Sequence, residues 1–160
     1  MESTKIVARR RLAAPQPIPD DWKLSTLEEL GPEAFNQVML RASDDDPYDT
    51  STVESADEDF RELVDAAGTA FDPRSWYVVV DSRSEVGVVL PQVFPGNPTT
   101  GTLLYVAVLP ERRGEGLGRA LHAFGLSELA RRGARDYVGS TDPDNAPMIA
   151  IFAANGCTLS

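Results

Sequence analysis

Residues 109–120 read Leu-Pro-Glu-Arg-Arg-Gly-Glu-Gly-Leu-Gly-Arg-Ala, and the fold is read outward from them. Just upstream, residues 102–109 (TLLYVAVL) form an apolar run of strand length. Just downstream, residues 117–132 place Leu117, Ala120, Leu121 and Phe124 on one helical face. A strand therefore becomes a helix within a few residues. Glycines at 114, 116 and 118 let the chain turn tightly and leave backbone N–H groups unshielded. The helix N-terminus adds unpaired N–H groups and about half a positive charge. Such a nest receives a phosphate or pyrophosphate. Arg112, Arg113 and Arg119 are expected to add mobile positive charge around it. A tight corner alone would need fewer glycines and no flanking arginines.

The flanking sequence fills in the domain. Residues 5–12 suit a short strand, and the proline-rich 13–20 (AAPQPIPD) an extended connector. Residues 22–27 alternate as a strand does. Gly31-Pro32 opens a helix over 33–41, with Phe35, Val38 and Met39 at helical spacing. An acidic loop over 43–52 precedes a helix over 53–67, where Ser55 and Glu58 suggest a capping box. Runs at 76–81, 85–94 and 102–109, separated by turn chemistry at 81–84 and 95–101, predict an antiparallel meander. Residues 136–141 then predict a strand parallel to the third run. A final helix over 147–154 stops at Gly156. The expectation is an α+β (mixed α/β) chain: an N-terminal extension over 1–20, then one domain over 21–160, a central mixed sheet flanked by helices.

Composition narrows the function. The chain has 160 residues, 15 Lys plus Arg against 25 Asp plus Glu, and a formal charge of −10. That length suits one domain. The acidity argues against non-specific nucleic-acid binding, which needs a basic footprint. No apolar run approaches the ~20 residues of a membrane helix. The N-terminus lacks the apolar stretch of a secretory signal. Cys157 is the single cysteine, so no intrachain disulfide can form, and no cluster has metal-ligand spacing. The expected setting is the cytoplasm, with no nucleic-acid or membrane partner. Charge is segregated, however. Residues 43–65 hold ten acids (Asp44, Asp45, Asp46, Asp49, Glu54, Asp57, Glu58, Asp59, Glu62, Asp65), whereas 111–135 hold six arginines and three glutamates.

The pattern Arg113-x-x-Gly116-x-Gly118, after the strand at 105–108 and Pro110, resembles the acetyl-CoA signature of the GNAT superfamily of N-acetyltransferases. Asn145, followed by Met148, Phe152 and Gly156, resembles that family's motif on its last helix. The element order matches from Trp22 onward. The resemblance implies an acyl-CoA-dependent N-acyltransferase that moves acetyl from acetyl-CoA to a primary amine by direct attack, on a small molecule or a protein, with no metal. It places the coenzyme A pyrophosphate on the N–H groups of Arg113, Gly114, Glu115, Gly116, Leu117 and Gly118, beside Arg119. Pantetheine would run along Val106 and Val108, with Asn145 and Phe152 completing the cofactor set. The acids of 44–65 would border the acceptor cleft and draw in a cationic amine.

The resemblance breaks at catalysis. Phe152 stands where the family commonly has a tyrosine that protonates the leaving thiolate, and Thr102 and Leu103 where many members carry a basic glutamate. Tyr105, Ser140 and Asp142 are the substitutes expected, with Tyr137 and Thr141 nearby. Losing a general acid or base costs about 10²–10⁴ in rate, so a catalytically weak acyl-CoA-binding homologue remains an alternative, and Phe152→Tyr is expected to raise turnover. A dinucleotide-binding module is a third reading, since Gly114-x-Gly116-x-Gly118 faintly imitates the Rossmann fingerprint. His122 is expected partly buried on the flank of its helix, and Cys157 as a small core residue. The family usually continues through two more strands beyond residue 160. On that reading C-terminal strands are missing, the strand at 136–141 has an open edge, and the chain is one half of a tandem protein or pairs as a homodimer, unless residues 5–12 cover the edge.

Overall fold

The computed structural model describes residues 4–44, 46–49 and 51–160; Asp45, one of the ten acids, lies outside them. In chain order the elements are β1 (Ile6–Arg11), β2 (Lys23–Thr26), α1 (Leu27–Leu30), α2 (Pro32–Ala42), α3 (Ala56–Ala67), β3 (Tyr77–Val80), β4 (Glu85–Phe94), β5 (Asn97–Val108), α4 (Leu117–Arg131), β6 (Asp136–Thr141), α5 (Ala146–Ala154) and β7 (Thr158–Leu159). The strands form one seven-stranded mixed sheet in the order β2-β3-β4-β5-β6-β1-β7. The β2-to-β5 half is antiparallel, and β5–β6 is the parallel pair. One parallel crossover inside an otherwise antiparallel sheet is not the succession of βαβ units a dinucleotide fold needs, which removes the Rossmann reading.

Both faces of the sheet are covered. On one, Phe35, Val38 and Met39 of α2 and Ala67 of α3 pack on Trp76, Val78, Val88 and Leu90. On the other, Leu121 and Phe124 of α4 pack on Tyr77, Val79, Val86 and Val89. Helix α4 lies so close to the strands that a Cβ on Gly125 would come 2.7 Å from the Leu103 side chain. A further apolar cluster joins Leu126 and Leu129 of α4, Phe152 of α5, Tyr137 of β6 and Ala8 of β1.

Three local expectations change. The capping box lies at Thr26 and Glu29 of the short α1, which the sequence reading passed over. Ser55 has φ −95° and ψ −9°, helical rather than extended, so its hydroxyl makes no cap to the helix backbone and donates to Asp59 Oδ2 at 2.8 Å. The turn expected over 95–101 shrinks to Pro95-Gly96, because Phe94 already pairs with Asn97. The polar residues 97–101 are drawn into β5 by the neighbouring strand: Thr100 and Gly101 pair with Asp136 and Tyr137 of β6.

Those two pairs are the whole β5–β6 ladder. Between the pairs Val89–Val106 and Pro91–Leu103 the register shifts, with an extra residue on β5. A bulge of this kind bends and twists its strand. Past it, β5 parts from β6 and a wedge opens between them. On its far side β6 is covered by the chain's own N-terminus, with Ile6 opposite Thr141 and Arg11 opposite Asp136. β7 pairs with the other edge of β1, and Val7 and Ser160 exchange backbone hydrogen bonds of 2.9 Å. Among the described residues no helix is long and apolar enough to cross a membrane.

Candidate active site

The wedge holds a cleft of about 590 Å³, walled by Val106, Ala107 and Val108 of β5 on one side and by Asn145, Met148 and Ile151 around α5 on the other. The strand-to-helix turn closes one end. Gly114 (φ 83°) and Gly116 (φ 77°) sit in the left-handed region, where a side chain would be strained although nothing crowds it. Gly116 is the N-cap of α4, and no side chain caps that helix start. Its first-turn N–H groups therefore face the cleft with the positive end of the helix dipole behind them. Gly118 serves a different purpose. A Cβ there would meet Ile151 Cδ1 at 3.0 Å and narrow the cleft.

The arginines divide by role. Arg113 lines the cleft and also holds down the acidic loop, its Nη2 donating to the carbonyls of Ala42 (3.0 Å) and Asp44 (2.8 Å). Arg112, expected to be a mobile cation, is buried. Its guanidinium pairs with Asp81, donating from Nη1 to Oδ1 at 3.0 Å and to the Ser84 hydroxyl at 3.0 Å, and reaches Glu115 at 3.3 Å. It clamps the β3–β4 turn to the strand-to-helix turn. The Arg112 hydrogen bond, helped by the backbone N–H groups of Arg83 and Ser84, holds the Asp81 carboxyl far below the usual range against the opposing effect of burial. Glu115 joins the clamp through Arg83 at 2.9 Å, so only its backbone is left for a ligand. Arg119 is exposed outside the cleft lining, and its carbonyl accepts from Asn155 Nδ2.

Asn145 is the N-cap of α5. Its side chain accepts from Met148 N–H at 3.3 Å and donates to Thr141 Oγ1 at 3.0 Å, which fixes the helix start on the cleft wall. Phe152 is not on that wall. It is 1% exposed and lies against His122, ring centroids 5.5 Å apart, so a hydroxyl added at 152 would enter the core rather than the cleft. Ser140 is exposed on β6 opposite Val7, and Asp142 is paired with Lys5 at 2.6 Å; neither lines the cleft.

His122 is fully enclosed rather than flanking. A helical wheel drawn for α4 alone cannot show that α5 and β6 close over that side. Asn155 Nδ2 donates to Nδ1 at 2.9 Å, so Nε2 carries the proton and donates to the Tyr137 hydroxyl at 3.2 Å. Burial, and then the nearby Arg10, push its pKa down to about 4. Cys157 is half-buried at the edge of the same cluster, its thiol pushed up by burial.

Next to the cleft lies a pocket of about 380 Å³ bordered by Asp46, Tyr48, Asp49, Asp59, Glu62 and Tyr105. The Tyr105 hydroxyl donates to Asp49 Oδ2 at 2.8 Å. Burial, and then that bond, push its pKa far up, so the phenol keeps its proton. Asp46 and Tyr48 border both spaces. Asp46 is one of the acids of 44–65 that the resemblance set beside the acceptor cleft, whereas Tyr48 was not singled out in the sequence. Among the described residues no group of three His, Cys, Asp or Glu side chains could hold a metal ion.

The model of the Acetyltransferase (GNAT) family matches residues 36–156, which takes in the glycine turn, both cleft walls and the acidic pocket. The chain belongs to the GNAT acetyltransferase family. Among its curated relatives, the mycothiol acetyltransferase of Kocuria rhizophila is 35% identical over 92 residues, 54% of this chain and 30% of that one. The mycothiol acetyltransferase of Thermobispora bispora is 30% identical over 159 residues, 94% of this chain and 52% of that one. This GNAT chain thus spans about half the length, or less, of the curated relatives it matches. A GCN5-related N-acetyltransferase from Sphaerobacter thermophilus shares the fold with TM-score 0.63 at 20% identity, over 99% of this chain and 50% of that one. So does yncA of Salmonella typhimurium, described with its cofactor acetyl-CoA, with TM-score 0.59 at 21% identity, over 88% of this chain and 82% of that one.

Proposed function

We infer that this GNAT chain binds acetyl-CoA in the wedge and transfers its acetyl group to a cationic primary amine that enters through the acidic pocket. The observation that carries the reading is the adjacency of two unlike spaces. One is an apolar cleft ending on an uncapped, glycine-lined helix N-terminus. The other is lined by Asp46, Asp49, Asp59 and Glu62, and the two meet at Asp46 and Tyr48. The first fits a long thioester ending in a pyrophosphate. The second favours a positively charged acceptor and raises its local concentration.

In this reading the N–H groups of residues 114–118 take the pyrophosphate, and the β5 edge at Val106–Val108, unpaired by β6, takes the pantetheine amides. Backbone N–H groups of β5 polarise the thioester carbonyl. A carboxylate of the acidic pocket relieves the ammonium of its proton, the neutral amine attacks the carbonyl carbon, and the thiol departs. Val106, Met148 and Ile151 exclude water from the thioester. Burial of Phe152 supports a second reading, a slow acyl-CoA-binding homologue, in which the same cleft binds and turnover is low.

Calorimetry tests the first step. Acetyl-CoA is expected to bind in the micromolar range, about −8 kcal/mol. Gly118→Leu, which fills the cleft without demanding a positive φ, should abolish binding. Unchanged binding in that variant refutes the site. For the acceptor, diamines should be acetylated faster than neutral amino compounds at low salt and lose the advantage as salt rises. Equal rates refute the acidic pocket as the acceptor site.

A further inference from the structure

We propose that Tyr48 is the residue that protonates the departing thiolate, in place of the phenol that position 152 lacks; this rests on the acetyl-CoA reading above. The chain has four tyrosines. Tyr77 is buried, its hydroxyl donating to Glu128 Oε2 at 3.1 Å. Tyr137 is enclosed, 3% exposed, against His122. Tyr105 points its hydroxyl at Asp49 and borders the acceptor pocket alone. Tyr48 lines the acetyl-CoA cleft.

Its position is more specific than that. The bond between acyl carbon and amine must form where the two spaces meet, and Tyr48 stands at that junction with Asp46. The ring is 39% exposed, so it can rotate without disturbing the core. In the present state its hydroxyl donates to the main-chain carbonyl of Asp144, at 2.8 Å, across the mouth of the cleft. That is the hydroxyl's one hydrogen bond among the described residues, so it can turn to another acceptor at the junction with no change in the fold. Partial burial, and then the charges of Asp144, Asp142 and Asp46, raise the phenol's pKa, so it is protonated at neutral pH. Of these neighbours, Asp142 is already paired with Lys5, and Arg113 approaches the same loop from the strand-to-helix turn.

The step balances. The neutral amine forms the new C–N bond and the C–S bond breaks, its electron pair passing to sulfur. The Tyr48 O–H proton moves to that sulfur to give the free thiol. The nitrogen of the new amide gives up its surplus proton through Asp46 or water to the phenolate, which restores Tyr48.

The test compares the full chain with Tyr48→Phe, which keeps the ring and removes the hydroxyl. Acetyl-CoA affinity and the melting curve should be unchanged, while kcat falls by about 10²-fold or more. An acetyl thioester of 4-nitrothiophenol, whose thiolate leaves without a proton, should be used almost equally well by both proteins. The alkaline limb of the kcat–pH profile should vanish in the variant. An unchanged kcat with acetyl-CoA overturns the proposal and leaves the cofactor reading standing. Equal slowing with both donors also overturns it, assigning Tyr48 to cleft closure. A wild-type chain that binds no acetyl-CoA overturns the cofactor reading itself, and the role of Tyr48 with it.

Discussion

Acidification should destabilise this protein through one side chain. His122 is the single histidine of the chain and is 0% exposed. Both of its ring nitrogens are spent on neutral partners, Asn155 and Tyr137. The fold holds its pKa at about 4 against an ordinary 6.5, so the native state keeps it neutral while the unfolded chain takes up a proton. The stabilisation is therefore complete above pH 6.5 and is lost as pH falls from 6.5 toward 4. Each unit in that window costs up to about 1.4 kcal/mol, which makes the loss about 2 kcal/mol at pH 5 and about 3 at pH 4. With a urea m-value of about 2 kcal/mol per molar, the midpoint should drop by about 1 M between pH 7.5 and 5. His122→Gln supplies the control, since its amide can accept from Asn155 and donate to Tyr137 but does not titrate. The variant should be less stable at pH 7.5 and much flatter down to pH 5. Carboxylates are common to both proteins, so the difference between the two curves isolates the imidazole. Parallel curves would refute the buried neutral histidine.

Two further outcomes follow from the packing. Arg112→Leu should lower the melting temperature far more than Arg83→Leu, because the first leaves Asp81 without its buried partner while the second removes an exposed contact to Glu115; equal effects, read by calorimetric melting, would dissolve the clamp. Deleting residues 1–12 should uncover β6 and leave β7 without a neighbour, so amide exchange at residues 136–141 should speed up and the protein should self-associate with rising concentration. Undiminished protection in a monomer would show that β1 is dispensable.

The glycine turn was legible in residues 109–120 because everything it needs is local. A left-handed φ at 114 and 116 calls for glycine, an uncapped helix start follows within a residue, and an apolar strand precedes it. Asn145 stood out only through its resemblance to the family's last-helix motif; the structure adds that it caps α5, accepting from an N–H three residues on. The periodicities of α2, α4 and β4 likewise need only near neighbours, and with the turn they were enough to point to the family. The fate of individual side chains depended on partners far along the chain. Arg112 meets Asp81 across thirty-one residues and so becomes a clamp rather than a free cation. His122 and Phe152 disappear into the core because α5 folds back onto α4 and β6. Residues 6–11 could be read as a strand, but their place between β6 and β7 depends on residues at the opposite end of the chain. Tyr48 reaches the cleft only because its loop, held by Arg113, is carried across the gap between β5 and β6. Backbone geometry is set by sterics within a few residues, so sequence alone determined the turn and its helix. Burial, ion pairing and the lining of a cleft depend on groups far apart in the chain, and those only the tertiary structure decided.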